Sequence, residues 1–342
     1  MDTGNLAAVL YGVEDIRLEQ RPTPAPDAQE VSVAIRSVGI CGSDVHYYQH
    51  GRIGDFIVTA PLILGHESSG VIRAVGRDVT SLAVGQRVTI EPGVPCSRCT
   101  QCRHGQYNLC PDVRFLATPP IDGALTQHLN VDASFVHPLP DILSYDQGAL
   151  IEPLSVGIWA NRKAGTTVGS RVLITGAGPI GVLAAQVAKA AGAAYVAIID
   201  VNAERLRQAT SLGIDEAIDA RTNPDLESLH ADIALECSGA ETATAAVISA
   251  LRPAGHAVLV GMSASPQVKI PVAVMQAREL TVTGTFRYAN TYPEAISLAA
   301  SGQIKLEELV GLRVPLEKAE QALNAGATHP EVLKTIVRVS ED

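Results

Sequence analysis

Residues 171–181 read RVLITGAGPIG, in which a continuous apolar run leads directly into three closely spaced glycines. The apolar run is typical of a buried β-strand, and the Ala-rich segment 180–190 that follows it predicts a helix. Gly176 permits a tight turn, Gly178 lets the backbone approach a ligand, and Gly181 allows the helix to pack closely on the strand. The stretch therefore predicts a strand, a glycine turn and a helix in immediate succession.

Further apolar runs alternate with helical segments after this stretch and predict a parallel sheet. The candidate strands cover residues 172–175, 195–199, 232–236, 256–260 and 280–283. Continuously apolar strands separated by helices are typical of a sheet that helices cover on both faces. We therefore predict a doubly wound α/β domain that occupies residues 154–286.

The glycine turn and the acidic end of the second strand together predict a dinucleotide site. The helix N-terminus offers free N–H groups and a positive dipole end to a pyrophosphate. Asp200 lies 19 positions beyond Gly181, where a carboxylate accepts hydrogen bonds from ribose hydroxyls and repels a 2′-phosphate. The alternative is that Asp200 caps the next helix, but the complete strand–turn–helix–strand unit favours binding of NAD over NADP.

The N-terminal part of the chain has a different pattern of apolar and turn-forming residues, which indicates a second, β-rich domain. Short apolar runs there are bounded by Gly, Pro and Asp, and the Pro-rich segment 21–26 predicts a surface connection. The last part of the chain returns to short helices and a final strand at 335–339. Because 342 residues exceed one typical domain, we predict that residues 1–153 and 287–342 form one domain, which residues 154–286 interrupt.

The overall composition excludes several classes of protein. Hydrophobic residues make up 46% of the chain and charged residues 18%, unlike a disordered or fibrous protein. The formal net charge of −10 disfavours binding to nucleic acid or to an anionic membrane. No run reaches the roughly 18 apolar residues of a membrane span, and the N-terminus lacks the regions of a signal peptide. We therefore expect a cytoplasmic protein.

Four of the six cysteines lie close together within residues 93–112, at Cys96, Cys99, Cys102 and Cys110. A chain of this length without a signal peptide is not a typical disulfide scaffold. Four thiolates that leave no open coordination position suit a structural zinc, which would fix a loop that has no core of its own. The alternatives are an iron–sulfur cluster and a zinc ribbon that contacts nucleic acid, which the acidic chain disfavours.

Cys41 and the tripeptide Gly-His-Glu at 65–67 precede this four-cysteine lobe. A single cysteine is most often a buried apolar filler and a single histidine a hydrogen-bonded polar group, so spacing alone does not identify them as metal ligands. The pattern GHExxGxxxxxG over residues 65–76, however, resembles the signature of the zinc-containing medium-chain alcohol dehydrogenases.

Other segments narrow the resemblance to the polyol branch of that family, the sorbitol and xylitol dehydrogenases. They are CGSDVHYY at 41–48, GRIG at 51–54, ATPPIDG at 117–123, IEPLS at 151–155 and GTFRY at 284–288. The resemblance implies a GroES-like β-rich catalytic domain and a Rossmann domain of doubly wound parallel sheet. It also implies that the protein is a homotetramer.

The resemblance further implies a catalytic zinc site. Cys41, His66 and Glu67 correspond to ligands of that zinc, and Glu152 to an acidic residue that approaches zinc directly or through water and lies beside the substrate. Typical alcohol dehydrogenases carry a cysteine at the position of Glu152, so this departure favours the polyol branch and leaves the resting ligand set open. Three protein ligands and one open position are the expected arrangement for a catalytic zinc.

Proton-relay, substrate and cofactor residues also follow from the resemblance. Ser43 and His46 correspond to a relay that passes the hydroxyl proton outward through the cofactor ribose, the alternatives being a helix cap and a solvent-facing side chain. The residues that correspond to substrate contacts are Tyr47, Arg287 and Tyr288, although ordinary packing is the alternative for the two tyrosines. The residues that correspond to the cofactor site, besides Gly176, Gly178, Gly181 and Asp200, are Ile180, Arg205, Val260, Gly261, Met262, Thr285, Phe286 and Arg287. The alternative for Arg205 is a solvated charge on a helix.

These features together predict an NAD-dependent zinc polyol dehydrogenase. It would oxidise a secondary hydroxyl of xylitol or sorbitol reversibly to D-xylulose or D-fructose, because a zinc ion stabilises the alkoxide that gives hydride to the nicotinamide. One alternative keeps the fold but acts on L-arabinitol, L-threonine or 2,3-butanediol. Another is a non-catalytic scaffold that retains cofactor binding, which the intact set of metal-ligand candidates disfavours.

Overall fold

Residues 4–263 and 265–340 are described by a computed structural model, and they form two units. The first unit extends to Glu152 and is completed by Tyr292–Ala300 and by the chain from Leu306 onward. The second unit comprises Pro153–Thr291 and Ser301–Lys305. In this division the chain returns to the first unit at Tyr292, and Arg162 of the second unit donates to the backbone carbonyls of Ala289 and Asn290. The predicted domain bounds stay a prediction.

The strands follow one another along the chain as β1 Asn5–Gly12, β2 Asp15–Arg21, β3 Glu30–Gly39, β4 Arg52–Ile53, β5 Phe56–Ile57, β6 Leu62–Ile63, β7 Glu67–Val75, β8 Arg87–Ile90, β9 Gly93–Val94, β10 Arg114–Phe115, β11 His128–Asp132, β12 Val136–Pro138, β13 Arg171–Thr175, β14 Tyr195–Asp200, β15 Glu216–Asp219, β16 Ala231–Glu236, β17 Leu251–Leu259, β18 Thr281–Gly284, β19 Val310–Pro315 and β20 Lys334–Arg338.

The helices, in the same order, are α1 Gly42–His50, α2 Thr100–Arg103, α3 Tyr145–Ala149, α4 Ile151–Ala164, α5 Pro179–Ala190, α6 Ala203–Ser211, α7 Glu241–Ser249, α8 Val272–Arg278, α9 Tyr292–Ala300, α10 Ala319–Leu323 and α11 Ala325–Thr328. Short 3₁₀ turns lie at Tyr107–Leu109, Ala133–Phe135, Ala220–Thr222, Glu227–Leu229, Glu307–Leu309 and Leu316–Lys318. Among the described residues, no helix has the length and apolar character needed to cross a membrane.

The first unit is built on a seven-stranded sheet in the order β12-β8-β7-β3-β20-β19, with β11 also paired to β3. The central strand β3 is buried along most of its length, since Val31, Val33, Ile35 and Val38 are fully inaccessible to solvent. The antiparallel register places Gly39 of β3 opposite the first residue of β7 and opposite the third residue of β20. The end of β3 and the beginnings of β7 and β20 therefore lie side by side at one end of the sheet.

The second unit is a six-stranded parallel sheet in the order β15-β14-β13-β16-β17-β18. Val172, Leu173 and Ile174 of β13 are buried, as are the residues of α5 that pack on the sheet. The predicted parallel sheet is confirmed, and the carboxyl ends of its strands lie at one edge because all its pairs are parallel. That edge carries the glycine turn.

Candidate active site

Cys41, His66 and Glu67 lie together at the end of the seven-stranded sheet where β3 ends and β7 and β20 begin. Cys41 is the N-cap of α1, and Glu67 begins β7 directly after His66. The sulfur, one imidazole nitrogen and one carboxylate oxygen all lie within 4.8 Å of one another, with His66 and Glu67 buried and Cys41 half-buried. This donor set fits a catalytic zinc, because it supplies three ligands of the preferred types and leaves a position open.

Lys334, the first residue of β20, is a buried partner of Glu67. Its ammonium group donates to both carboxylate oxygens of Glu67 and, at 2.8 Å, to the backbone carbonyl of Ile40. Burial alone would lower the pKa of Lys334, but the charges of Glu67, Cys41 and Glu152 raise it above its ordinary value. Lys334 therefore remains a cation and offsets one of the negative charges of the site.

Asp44 supports the same cluster from within α1. Its buried carboxylate accepts hydrogen bonds from the N–H groups of Cys41 at 3.0 Å and Gly65 at 2.8 Å, and lies 3.7 Å from Nδ1 of His66. Burial alone would raise the pKa of Asp44, but His66 and these donors lower it. Burial alone would lower the pKa of His66, but Asp44 and Cys41 raise it well above its ordinary value. The Asp44 carboxylate thus lies beside the His66 ring at ion-pair distance, and carboxylates beside a ligating histidine commonly orient its ring.

Glu152 is not a member of the three-residue ligand cluster. It occupies the first turn of α4 and is buried, yet its carboxylate is not among the atoms that lie within 4.8 Å of one another. The structure therefore brings together three of the four predicted catalytic-zinc residues. The role of Glu152 stays a prediction.

The relay candidates lie on α1. The N-cap is Cys41 and not Ser43, so the alternative that Ser43 caps this helix is wrong. Ser43 is half-buried in the first turn, whereas His46 is exposed and its ring centroid lies 5.6 Å from that of His50. Tyr47 is buried in the first unit at 3% exposure. Their roles in proton transfer and substrate binding stay predictions.

The four cysteines of the lobe converge between β9 and β10. Their sulfur atoms all lie within 4.8 Å of one another, and Sγ of Cys99 is 3.4 Å from Sγ of Cys102, well beyond a disulfide bond of about 2.05 Å. Backbone N–H groups of Arg98 and Cys99 lower the pKa of Cys96 to about 6, whereas burial and the neighbouring thiols raise that of Cys102 to about 12. Four convergent thiols fit a closed tetrahedral zinc site.

The glycine turn has the geometry that a dinucleotide requires. Gly176 has a φ of +88°, and a Cβ on Gly181 would lie 1.8 Å from the carbonyl oxygen of Gly176. Asp200 accepts hydrogen bonds from the N–H groups of Ala177 at 2.6 Å and Asn202 at 2.8 Å. Asn202 is the N-cap of α6, so the alternative that Asp200 caps this helix is wrong, and Asp200 faces the glycine turn.

The other cofactor candidates lie at the same edge of the parallel sheet. Ile180 is in the first turn of α5, and Arg205 of α6 has a buried Nε without a hydrogen-bond partner among the described residues. An unsatisfied buried donor fits a site that a polar ligand completes. Two of the candidates that follow β17 and β18, Met262 and Phe286, have exposed side chains. The full set of these candidates is Val260, Gly261, Met262, Thr285, Phe286 and Arg287.

The substrate candidates are divided between the units. Tyr47 and Glu152 belong to the first unit, whereas Arg287 and Tyr288 belong to the second. The Arg287 guanidinium lies 4.8 Å from the centre of the Phe286 ring, and Tyr288 is 3% exposed.

Two residues that contact the metal-ligand cluster were not predicted from the sequence. Asp44 stands three positions after Cys41, where a helix capping box places its acidic residue, and this spacing is a usable signal. Lys334 lies 267 positions from its partner Glu67, and only a lysine at the start of a predicted apolar strand hints at a buried cation. Sheet register, and not local sequence, makes that pair.

Comparison with known proteins identifies the family. The family described as "Alcohol dehydrogenase GroES-like domain" matches residues 27–141, and the family described as "Zinc-binding dehydrogenase" matches residues 179–301. Sorbitol dehydrogenase of Gallus gallus is 48% identical over 327 residues, which cover 93% of this chain and 92% of that protein.

Comparison with solved structures also finds dehydrogenases. An oxidoreductase/dehydrogenase of unknown specificity from Escherichia coli superposes with a TM-score of 0.94 at 33% identity, over 99% of this chain and 100% of that chain. L-idonate 5-dehydrogenase from Escherichia coli superposes with a TM-score of 0.93 at 30% identity, over 98% of this chain and 99% of that chain. The chain therefore belongs to the polyol branch of the zinc-containing medium-chain dehydrogenase/reductase family.

Proposed function

We propose that the protein oxidises a secondary hydroxyl of xylitol or sorbitol to the 2-ketose, D-xylulose or D-fructose, and that it catalyses the reverse reaction. It is an alcohol dehydrogenase of the polyol type whose cofactors are NAD and zinc. The observation that carries the proposal is a three-ligand cluster with an open position, in a chain that is 48% identical to a sorbitol dehydrogenase.

The residues of the first unit would hold the metal and move the proton. Cys41, His66 and Glu67 would bind zinc, which supplies a Lewis acid for the reacting hydroxyl. Ser43 would accept the hydroxyl proton and pass it outward, with His46 at the exposed end of the path. The cationic Lys334 would keep the Glu67 carboxylate oriented while the charge of the substrate changes.

Polar side chains would select a polyol over a simple alcohol. Tyr47, Arg287 and Tyr288 would hydrogen-bond the further hydroxyls of the substrate, and Glu152 would accept from one of them. A small alcohol such as ethanol has no further hydroxyls to accept these contacts, so it gains less transition-state binding than a polyol, and that difference is the physical basis for the preference. The expected substrates are therefore chains with hydroxyls on neighbouring carbons.

NADH formation with xylitol, sorbitol and ethanol, each with and without a strong chelator, tests the proposal. We expect activity on the polyols that the chelator abolishes, and no activity on ethanol. A Cys41→Ser variant provides the matched control, because it removes one zinc ligand and leaves the four-cysteine lobe intact. Activity on ethanol alone, or on L-arabinitol, L-threonine or 2,3-butanediol but on neither named polyol, would contradict the proposed substrate.

We also propose that the enzyme is a cytoplasmic homotetramer. The free thiols of the two metal-ligand groups suit a reducing compartment, in which cysteines remain available to zinc. Within residues 4–263 and 265–340, the edge strand β18 pairs only with β17, and a strand edge of this kind can pair with a second copy. Light scattering on the purified zinc-loaded protein should give four times the chain mass of 35.8 kDa, and a monomer would refute the assembly.

A further inference from the structure

Glu236 is a buried acidic residue at the carboxyl end of β16 that has no part in the reaction proposed above. It is 1% exposed. Its Oε1 accepts hydrogen bonds from the hydroxyl of Thr175 at 3.2 Å and from the backbone N–H groups of Ser238 at 2.8 Å and Gly239 at 3.0 Å. The Ser238 hydroxyl donates to the same oxygen. Backbone N–H groups can only donate, so this oxygen is an acceptor, and several donors on one carboxylate stabilise its ionised form.

Three loops pack backbone against backbone around this side chain. A Cβ on Gly176 would lie 3.0 Å from the Cα of Ser238, and a Cβ on Gly261 would lie 2.3 Å from the nitrogen of Gly239. The backbone carbonyl of Glu236 accepts the N–H of Gly261 at 2.8 Å. Glu236 therefore lies where the glycine turn, the turn after β16 and the loop after β17 meet.

Among the residues that the structure describes, no cation forms an ion pair with Glu236. The acidic neighbours on the sheet differ, since Asp215 pairs with Lys189 and Asp232 with Arg252. Burial, and then the negative charge of Glu236, raise the pKa of the adjacent Cys237 thiol above its ordinary value. The carboxylate is thus a negative charge that hydrogen-bond donors stabilise but that no positive side chain cancels.

The strand order puts this charge on the nicotinamide side of the bound cofactor. A dinucleotide crosses the carboxyl edge of such a sheet with its pyrophosphate at the glycine turn and its two nucleosides on opposite sides. Asp200, the candidate partner of the adenosine ribose, ends β14 on one side of β13. Glu236 ends β16 on the other side of β13, which is the side left for the nicotinamide.

We propose that the negative charge of Glu236 strengthens the binding of NAD⁺ relative to the binding of NADH. The nicotinamide ring is positively charged in NAD⁺ and neutral in NADH, whereas the rest of the cofactor carries the same charge in both. A fixed charge in a protein interior acts on a nearby charge more strongly than it does in water. The inference rests on NAD binding by the second unit and is independent of which polyol is the substrate.

Dissociation constants for NAD⁺ and NADH, measured by titration calorimetry without substrate, test this inference. Glu236→Gln removes the charge and can keep the main acceptor, because one oxygen receives nearly all the hydrogen bonds. We expect the ratio of the NADH constant to the NAD⁺ constant to fall about threefold or more. If both affinities weaken by the same factor and the ratio stays unchanged, Glu236 only shapes the loops and the proposal is overturned.

Further variants separate the charge from the shape. Glu241→Gln removes one negative charge from an exposed position of the same unit and should leave the ratio at its wild-type value. Ser238→Lys places a positive charge at the exposed turn beside Glu236, so the ratio should fall relative to the matched neutral variant Ser238→Gln. If Glu236→Gln does not fold, an equal ratio in the two Ser238 variants overturns the proposal by itself.

Discussion

At the scale of single residues, the pairing of Lys334 with Glu67 sets the charge balance of the candidate metal site. Both side chains are almost completely buried, and three hydrogen bonds satisfy the lysine ammonium group. Gly39 makes the arrangement sterically feasible, because a Cβ there would lie 2.1 Å from a carboxylate oxygen of Glu67. A change to either charged residue therefore leaves an uncompensated charge inside the protein.

Replacing Lys334 by methionine should destabilise the metal-free protein strongly. Removing one partner of a buried ion pair costs about 3–5 kcal/mol of the free energy of unfolding. The double variant Lys334→Met/Glu67→Gln should recover most of that loss, because no buried charge remains unpaired. Urea denaturation in the presence of a chelator measures both values. Equal stability of the single and double variants would show that the pair does not carry this energy.

The ionised carboxylate of Asp146 should make the free energy of unfolding decrease at acidic pH. Burial alone would raise its pKa, but hydrogen bonds from Ser37, Arg313 and Arg338 hold it below the ordinary value. A folded-state pKa below the unfolded value of about 3.9 means that the stabilisation is present above about pH 4 and is lost as pH falls further. Asp146→Asn should therefore lower stability at pH 7 and flatten the acid limb of a denaturation series. An acid limb as steep as that of wild type would contradict this assignment.

Asp200 should control the choice between NAD and NADP. Its carboxylate would repel a 2′-phosphate, and the neighbouring Val201 is 62% exposed and can accept a larger side chain. The double variant Asp200→Gly/Val201→Arg should shift the ratio of kcat/KM values toward NADP by about tenfold or more. Val201→Arg alone is the control for the added charge. An unchanged cofactor ratio in the double variant would remove the ribose role from Asp200.

At the scale of secondary-structure elements, sheet register explains which features the sequence could reveal. β13, β14 and β16 of the parallel sheet were predictable because each carries a nearly continuous buried apolar run. β15 was not predicted, because its sequence Glu-Ala-Ile-Asp is short, half-exposed and bounded by acids. β17 begins at Leu251, whereas the sequence predicted a strand only from residue 256, because Pro253 and Gly255 suggest a turn. The segment nevertheless pairs with β16, across a register shift.

The residues of the candidate site differ in how far apart they lie in the sequence. Ligands that lie close together in sequence, such as the cysteines of the lobe and the pair at 66 and 67, could be predicted from local patterns and from the family resemblance. Lys334 and Glu236 could not, because each acts through neighbours that strand pairing brings to it. Local spacing therefore indicates the four-cysteine set, the family resemblance indicates Cys41, His66 and Glu67, and neither reveals a charge partner that lies far away in the sequence.

The four-cysteine lobe should depend on its metal for local order. Its regular structure consists of the short helix α2, a 3₁₀ turn and the two-residue strands β9 and β10, too little to form an apolar core. Chelation should raise amide hydrogen exchange across residues 93–115 by an order of magnitude or more. Exchange in β13 and β14 serves as the internal control and should stay unchanged. Protection of the lobe that survives complete zinc removal would contradict a structural role for the metal.

At the scale of the whole molecule, the two kinds of cofactor site belong to different units. Both metal-ligand groups lie in the first unit, and the glycine turn lies in the second. Each unit has its own sheet and its own buried apolar residues. A variant in one metal-ligand group should therefore leave the other group occupied and leave cofactor binding by the glycine turn intact.

Metal analysis of the whole chain should find two zinc ions, one for each ligand group. Cys41→Ser and Cys99→Ser should each retain one ion, and the combined variant should retain none, since each group is complete without the other. Elemental analysis after gel filtration gives the count for each variant. Loss of both ions from either single variant would show that the two sites are not independent.

The position of Lys334 in β20 has a consequence for the order in which the protein is made. Glu67 and Cys41 are synthesised early, but the lysine that neutralises Glu67 leaves the ribosome only after residues 153–291, the whole main segment of the second unit. Domains generally fold as units during synthesis, so the parallel sheet can form while the seven-stranded sheet still lacks β20. During translation, the nascent metal site therefore holds an excess of negative charge and remains incomplete until one of the last strands arrives.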